Sequence, residues 1–338
     1  MEKKILSVTV PAYNAQDYLK KCLDSFLIDD EELFNMLEIL VINDGSTDDT
    51  SIIAKEYEDR YPQVFKLINK ENGGHGSGIN AGIKNATGLY FKVVDADDWV
   101  DKYSLKKLLE LISNMRDSKP DIIASDFVTV LDGEFTQIKV WRATHDRTQY
   151  GKIIEFSSGE VKECIKMHSM TIFTEILKNM GMRIDENLYY VDAEYITFPI
   201  PYVNSVYYDP HILYQYRLGR KGQTMDIDIM KKNCSQHRFV LERLIEYYDN
   251  SEKGMDLQHK KYMEITIGKM IESHFQIFIC MGTNKDAIKE LREWDCDLIT
   301  KHPEFIKSTS KRSIQLIRKT NYIILPIGKL IYKILKKL

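Results

Sequence analysis

Apolar, β-branched runs alternate with segments of helical periodicity over the first 130 residues of this 338-residue chain. The predicted strands are Ile5–Val10, Leu37–Ile42, Val64–Ile68, Leu89–Val94 and Asp121–Val130. The predicted helices are Tyr18–Phe26, Thr50–Tyr61, one that follows the glycine-rich loop Asn72–Gly78, and Ser104–Met115. This alternation predicts an α/β fold with a mainly parallel sheet flanked by helices, in which ligands bind beyond the carboxyl ends of the strands.

The rest of the sequence changes character twice. Residues 131–225 mix aromatic and charged side chains without a clean period, whereas 226–310 carry apolar residues at helical spacing. Residues 311–338 hold eight Lys or Arg and no Asp or Glu. We therefore expect an α/β domain made of a 1–130 half and a 131–225 half, a helical C-terminal extension at 226–310, and a basic tail at 311–338.

Charge and cysteine content narrow the classes of function. The net charge is −3, but outside the basic tail 39 basic residues face 50 acidic ones, which argues against nucleic acid as a partner. The cysteines are widely spaced and form no CxxC or zinc-type pattern, so we expect a reducing, cytoplasmic environment. They are Cys22, Cys164, Cys234, Cys280 and Cys296.

The run Val93–Trp99 places three carboxylates, Asp95, Asp97 and Asp98, directly after an apolar strand. Strand side chains alternate between faces, so Asp95 and Asp97 can point the same way. Their oxygens are hard ligands that suit Mn²⁺ or Mg²⁺, and a cation held there could bind a diphosphate. An acidic turn that ends the strand or caps the next helix would give the same string.

Four motifs follow one another in the first hundred residues: VPAYN (Val10–Asn14), VINDGSTDDT (Val41–Thr50), NGGHGSGINAGIKNATG (Asn72–Gly88) and VVDADDW (Val93–Trp99). Their order and spacing resemble those of family 2 glycosyltransferases with the GT-A fold. The resemblance is strong over 5–100 and continues more weakly to about 225. It implies a nucleotide-sugar-binding half at 1–130, an acceptor-binding half with the catalytic base at 131–225, and metal-dependent transfer of a sugar with inversion.

The resemblance also implies a role for each matching residue of the donor site. Asp44 would accept a hydrogen bond from the nucleobase, and Asp97 would ligate the metal that bridges the two phosphates. The implied donor-binding residues are Pro11, Ala12, Tyr13, Asn14, Asp44, Gly74, Asp95, Ala96, Arg217 and Arg220, and the implied metal ligands are Asp97 and Asp95. The alternatives are a helix-capping role for Asp44 before Gly45–Thr47 and an ordinary solvated basic loop around Arg217 and Arg220.

Transfer needs a group that takes the proton of the acceptor hydroxyl as the new bond forms. In the family, a Glu-Asp pair in the second half supplies this base, and the matching position is Asp192. Val191 stands in place of the first acid, so Glu194 competes for the role, and Asp192 could also be an acid on a surface helix.

Two departures from the family pattern leave the donor open. Asn43 stands where an acid often precedes the base-contacting Asp, and Ile79 replaces an arginine expected after the glycine-rich loop. We expect a UDP-sugar first among nucleotide sugars. The expected acceptor is a saccharide or a lipid-linked saccharide in surface polysaccharide or glycolipid synthesis.

The basic tail predicts contact with a membrane. Apolar residues of 327–338 fall on one helical face and lysines on the other, and Pro326 could begin the helix. Such a helix suits an anionic interface, so 311–338 could hold the enzyme at the inner face of the plasma membrane. The alternative is a C-terminal helix that packs on the body.

Two other functions remain open from the sequence. A nucleotidyltransferase also uses carboxylates and a metal, but it would usually carry a basic glycine-rich loop after the first strand, where PAYNAQ stands here. A non-catalytic sugar-nucleotide-binding, membrane-associated protein could keep the fold. The presence of Asp97 and Asp192 argues against that alternative.

Overall fold

A computed structural model describes residues 3–115, 119–133, 136–220, 223, 227–281, 284–309 and 311–325. The chain divides into two compact units, Met1–Arg220 and Lys221–Leu338. The first unit contains the sheet, and the described part of the second is helical.

Strands and helices alternate over the first 130 residues of the first unit, as the sequence predicts. The strands are β1 (Leu6–Ala12), β2 (Leu37–Asp44), β3 (Phe65–Lys70), β4 (Tyr90–Val93), β5 (Trp99–Val100), β6 (Ile122–Leu131), β7 (Gln137–Trp141), β8 (Ile153–Glu155), β9 (Met170–Phe173) and β10 (Ser205–Leu218). The helices are α1 (Gln16–Asp24), α2 (Glu31–Asn35), α3 (Thr50–Arg60), α4 (Gly74–Asn85), α5 (Lys102–Asn114), α6 (Thr174–Asn179) and α7 (Asp192–Thr197).

The strands form one mixed sheet in the order β3, β2, β1, β4, β9, β6, β10, β5, with β7 beside β6 and β8 beside β10. Strand β1 runs parallel to β2 and β4, so the carboxyl ends of these three strands lie at the same edge. Strand β9 is antiparallel to β4 and β6 and joins this half of the sheet to the parallel pair β6 and β10. The mainly parallel α/β sheet is therefore confirmed.

The central strands are buried on both faces because their sequences are almost continuously apolar. Every residue of β1 except Pro11 is buried, and so is every residue of β2 except Glu38. Their side chains share one core with the apolar faces of α1 and α5. This packed layer fixes the positions of the polar residues that follow each strand end.

The longest strand, β10, lies in the region where the sequence shows no clean period. It pairs with β6 from Val206 opposite Ile122 to Leu218 opposite Leu131, with register shifts between Asp209 and Tyr214. A bulge interrupts the two-residue alternation of inward and outward side chains. This irregularity explains why the pattern did not predict a strand.

The second unit is helical, as expected for 226–310. Its helices are α8 (Ile227–Lys232), α9 (Cys234–Ser251), α10 (Leu257–Met281), α11 (Lys285–Lys301), α12 (Pro303–Ser308) and α13 (Arg312–Lys319). Helix α13 buries Ile314 and Ile317, and the Arg318 guanidinium forms two hydrogen bonds with Asp295, at 2.9 and 2.8 Å. The predicted amphipathic helix at 327–338 lies outside the described residues.

Among the described residues, no helix is both long enough and apolar enough to cross a bilayer.

Candidate active site at the strand ends

Asp44 ends β2 and is 3% exposed. Its carboxylate accepts the backbone N–H groups of Gly73 at 3.0 Å and Gly74 at 2.7 Å, and Lys70 Nζ lies 2.6 Å away. These N–H groups open α4, so the carboxylate satisfies donors that a helix N-terminus leaves unpaired. Asp44 therefore contacts the start of α4, and not the helix after Gly45–Thr47 that it would cap in the alternative drawn from the sequence.

The loop after β1 lies against the loop after β2. Asn14 has a φ of 47° and its side chain accepts the N–H of Thr47 at 2.9 Å, while its own N–H donates to Ser46 Oγ at 3.0 Å. Beside it, Tyr13 is 55% exposed and Ala12 is buried. This surface can accept a flat ring, because an exposed aromatic side chain stands on a braced loop.

The glycine-rich loop is held close to the segment that leads to α7. Gly74 has a φ of +78°, which only glycine adopts without strain, and a side chain on Gly76 would overlap the carbonyl oxygen of Asp185. Asn187 donates its N–H to Gly73 O at 2.6 Å. These contacts place the glycine-rich loop beside the segment that precedes Asp192, the predicted catalytic base.

Asp95 pairs with His75, whose Nε2 lies 2.8 Å from its carboxylate. Desolvation raises the pKa of Asp95, but the His75 pair outweighs it and holds that pKa below its ordinary value. Desolvation likewise lowers the pKa of His75, and Asp95 outweighs it, so the pKa of His75 is raised. His75 was not a predicted site residue, because a lone histidine in a loop carries no partner in the sequence.

Asp98 is the most buried of the three carboxylates, with 1% exposure. It accepts the Tyr214 hydroxyl at 2.6 Å and the Arg217 N–H at 2.7 Å. Burial, and then the charges of Asp97 and Asp95, raise its pKa well above the ordinary value. Crowded carboxylates of this kind are stabilised by a nearby cation.

Asp97 pairs with Arg220, whose Nε donates to its carboxylate. Burial and the Asp95 charge raise the pKa of Asp97, which the guanidinium partly offsets. The side chain of Arg220 remains 33% exposed. In this structure, the guanidinium of Arg220 is therefore the cation that pairs with Asp97.

Arg217 is buried, with 4% exposure. Its Nε donates to the carbonyl of Asp97 at 2.6 Å, and its Nη1 donates to Asp132 at 2.6 Å. The guanidinium also lies over the rings of Tyr18 and Trp99, at 4.8 and 5.1 Å. Through these contacts, Arg217 stabilises the turn that carries Asp97.

Asp192 is the first residue of α7 and is exposed. Desolvation by the surrounding protein raises its pKa; His75 opposes this shift and Asp95 adds to it, so Asp192 lies within electrostatic range of both. Tyr190, two residues earlier, has a φ of 69°, which is strained for a bulky side chain. The competitor, Glu194, is fully buried and accepts the N–H of Asp185 at 2.8 Å.

Asp95, Asp98 and His168 form the group best placed to hold a metal among the residues that the structure describes. Their potential ligand atoms all lie within 4.8 Å of one another. Burial lowers the pKa of His168 to about 4, so its ring is neutral at pH 7, as a metal ligand must be. The two carboxylates suit Mn²⁺ or Mg²⁺, and the imidazole favours Mn²⁺ of the two, because Mg²⁺ is the harder ion and prefers oxygen ligands. His168 lies outside every motif, and no signal in the sequence marked it.

The family model for glycosyl transferase family 2 matches residues 7–179 of the chain. That match spans just over half of the chain and includes all four sequence motifs. The chain belongs to glycosyl transferase family 2. The family prediction from the sequence motifs is thus confirmed.

Solved structures share the fold of this family 2 chain. TarS 1–349 of S. aureus in complex with UDP superposes with a TM-score of 0.62 at 17% identity, covering 97% of this chain and 91% of TarS. The mannosyltransferase PcManGT of Pyrobaculum calidifontis in complex with GDP-Man and Mn²⁺ superposes with a TM-score of 0.50 at 15% identity, covering 98% and 88%. The GT-A fold is confirmed.

This family 2 chain matches part of the length of each curated relative named here. The minor teichoic acid biosynthesis protein GgaB of Bacillus subtilis (strain 168) is 27% identical over 74% of this chain and 27% of its own length. The chain spans 15% to 64% of the lengths of the first three curated relatives that it matches.

Proposed function

We propose that the chain is an inverting glycosyltransferase that moves one sugar from a nucleotide-sugar donor to a hydroxyl of a saccharide acceptor. One observation supports this proposal: His75 forms a hydrogen bond with the strand-end carboxylate Asp95, and its charge also acts to lower the pKa of the exposed carboxylate Asp192. A donor at the strand ends and a base on α7 would then flank one reaction centre.

Asp192 is the proposed base. It is exposed, whereas Glu194 is fully buried. Its raised pKa brings it nearer the operating pH, which favours a general base. The Asp192 carboxylate takes the proton of the attacking hydroxyl on the face opposite the leaving diphosphate, and attack from that face inverts the anomeric centre.

The donor would lie along the predicted residues Pro11 to Asn14, Gly74, Asp95 and Ala96, and a UDP-sugar is favoured. TarS has been solved with UDP and with UDP-GlcNAc, which supports this choice. Arg220, rather than the buried Arg217, is the proposed arm that leaves Asp97 and binds the diphosphate. We propose that Asp44 contributes by holding the start of α4 beside the base-binding loop.

A divalent cation, Mn²⁺ or Mg²⁺, would be held by Asp95 with Asp98 and His168, and by Asp97 once Arg220 moves away. When bound, it would neutralise the charge that develops on the leaving diphosphate. The Mn²⁺ in PcManGT, a protein of similar fold, supports this choice of ion. Two side chains would position the ligating carboxylates through hydrogen bonds: Tyr214 orients Asp98, and His75 orients Asp95.

The acceptor would belong to surface polysaccharide synthesis, as the name of GgaB suggests for that relative. We also propose peripheral contact with an anionic membrane at its cytoplasmic face. Leu316 and Ile323 are 52% and 77% exposed, and Arg312 and Lys319 accompany them on the surface. No disulfide bond joins the five cysteines, all of which lie among the described residues, and this suits a reducing compartment.

The test combines donor binding with turnover. A panel of nucleotide sugars, with and without Mn²⁺, is screened by thermal shift, since a ligand that binds only the native state raises its stability. Sugar release and transfer are then measured for the wild type, for Asp192→Asn and for the control Glu186→Gln, which neutralises an exposed acid in the loop before α7. We expect Asp192→Asn to bind UDP-sugar normally and to lose about 10²-fold or more in turnover, and the control to keep its turnover.

Metal ligation is tested separately by titrating Mn²⁺ into Asp97→Asn and His168→Gln. Loss of Mn²⁺ affinity in His168→Gln supports the group formed by Asp95, Asp98 and His168, and loss in Asp97→Asn supports the ligand that the sequence predicted. Full turnover by Asp192→Asn, or the absence of any nucleotide-sugar binding by the wild type, would refute the proposed function.

A further inference from the structure

Lys92 is a buried lysine on the central strand β4. It precedes Asp95 by three positions and is 1% exposed. Its Nζ donates to the backbone carbonyl of His168 at 2.8 Å and to that of Met170 at 3.2 Å. The amine therefore ties the strand that leads to Asp95 to the segment that carries His168.

These two hydrogen bonds lie where the ladder between β4 and β9 has ended. The paired residues of the two strands are Tyr90 with Phe173 and Phe91 with Ile172, and Lys92 is the next residue along β4. From this point a side-chain donor, rather than a backbone N–H, connects β4 to the segment that enters β9. The position of that segment relative to β4 therefore depends on the length and direction of one side chain.

Stability alone does not explain a lysine at this position. Burial of an ammonium costs free energy unless a charged partner offsets it, and methionine would fill a similar volume without that cost. Within the described ranges, Nζ of Lys92 forms no ion pair with a carboxylate. Burial lowers its pKa to about 7, although the charge of Asp209 opposes this shift. The amine keeps at least two N–H donors whether or not it is protonated, so both hydrogen bonds form in either state.

The His168 ring needs support from its surroundings because one of its nitrogens has no partner. Its Nδ1 atom is buried without a hydrogen bond in the part of the chain that the structure describes. A ligating histidine usually donates its other ring N–H to an oxygen, which fixes the orientation of the ring. Here the ring packs instead against Phe127, Tyr214 and Tyr216, with centroids 4.9, 4.8 and 4.6 Å away. This packing and the tethered backbone together determine where the imidazole lies.

We propose that Lys92 is a positioning residue, which holds His168 beside Asp95 so that the two can bind one Mn²⁺ ion. This inference rests on the proposed function, in particular on the group formed by Asp95, Asp98 and His168. It deepens that function by adding a residue that contacts neither the ion nor the donor. Lys92 acts through the carbonyl of His168, while the surrounding rings hold the plane of the imidazole.

The test is a double-mutant cycle in Mn²⁺ binding by the whole chain after removal of metal. The proteins are the wild type, Lys92→Met, His168→Gln and the double variant. Mn²⁺ alone is titrated, and the paramagnetic resonance signal of the free ion gives the affinity. We expect roughly tenfold weaker binding in Lys92→Met, because the loss of a group that orients a ligand has about this effect. In the His168→Gln background, Lys92→Met should cause no further loss, since residues that act through one another are not additive.

The matched control is Lys4→Met. Lys4 also donates to two backbone carbonyls, those of Asn35 and Leu37, at 2.7 and 2.8 Å. It precedes β1, whereas the acidic cluster follows the carboxyl end of β4, so this variant should bind Mn²⁺ as the wild type does. A second measurement needs no metal. The ring resonances of His168, assigned by their absence in His168→Gln, should shift in Lys92→Met and stay in place in Lys4→Met.

Unchanged Mn²⁺ affinity in Lys92→Met would overturn this inference. A further loss in the double variant beyond that of His168→Gln would also overturn it, because the effect would then not pass through His168. If thermal unfolding shows that Lys92→Met does not fold, Lys92→Gln takes its place in the same cycle, with the same expectations.

The outcomes also separate this inference from the proposed function. A wild type that binds Mn²⁺ but transfers no sugar from any nucleotide sugar would refute that function and leave the role of Lys92 standing. A wild type that transfers sugar, with equal Mn²⁺ affinity in Lys92→Met and Lys4→Met, would refute the role of Lys92 alone. Absence of Mn²⁺ binding by the wild type would refute the metal-binding group and this inference together.

Discussion

Asp44 accepts the backbone N–H of Gly74 at 2.7 Å, which fastens the end of β2 to the start of α4. The same carboxylate receives the N–H of Gly73 and the ammonium of Lys70. A residue expected to read a nucleobase therefore also organises the glycine-rich loop. These contacts tie the shape of the candidate site to the stability of the first unit.

Replacing Asp44 by Asn should destabilise the first unit. The substitution removes the charge that complements the helix N-terminus and weakens the pair with Lys70, so we expect a loss of about 1–2 kcal/mol in the free energy of unfolding. Urea denaturation measures it. The control is Asp49→Asn, since Asp49 precedes α3 without a side-chain capping bond. A loss no larger than in that control would contradict the capping role.

Gly76→Ala tests the contact between the glycine-rich loop and the segment before α7. The new methyl group would overlap the carbonyl of Asp185, so we expect a loss of about 1–3 kcal/mol in stability, measured by denaturant midpoint. Gly254→Ala is the matched control, because nothing lies within 4 Å of the added carbon there. If both variants unfold alike, the loop is not packed as described.

Acid should destabilise the second unit through His237 and His274. Their Nδ1 atoms lie 3.2 Å apart in a buried stack, with Trp294 and Phe278 against His274. Burial lowers the pKa of His237 to about 4, and burial, then the charges of His237 and Arg238, hold that of His274 well below its ordinary value. The unfolded chain protonates near 6.5, so it binds more protons than the folded unit below that pH.

The stability of this unit is therefore fully present above about pH 6.5 and falls as the pH drops towards 4. Helical circular dichroism during urea unfolding at a series of pH values measures the decline. The variant His274→Phe keeps a ring in the stack and should flatten the dependence. A His145→Phe control, at an exposed position, should retain it. Identical pH profiles for the two variants would count against the buried pair.

Membrane contact predicts that Leu316→Ser/Ile323→Ser floats less well with vesicles that contain phosphatidylglycerol. Removing two exposed aliphatic side chains beside Arg312 and Lys319 should lower recovery several-fold, because the apolar area available to the lipid is lost. The control is Ile52→Ser/Leu257→Ser, which removes aliphatic groups exposed to 58% and 60% elsewhere. Equal recovery of the two variants would show that α13 does not contact the lipid.

Local pattern explains why so much of the fold was predictable. The strands β1 to β4 and the helices between them follow from runs and periods within a few residues of one another, and the polar groups at their ends follow from the chain order. Region 131–225 was less readable, because β10 carries register shifts and β9 enters the sheet antiparallel between two strands that are distant from it in sequence.

Family membership, the α/β sheet and the carboxylates that follow its strands were predictable from the amino acids alone, because they depend on neighbouring residues. The partners of these carboxylates were not, because they come from distant parts of the chain. Tyr214 reaches Asp98 across 116 positions, Arg217 turns inward while Arg220 stays accessible, and His168 arrives beside Asp95. Such contacts depend on which strands pair across the sheet, and that choice is set by the burial of the whole core rather than by any local pattern.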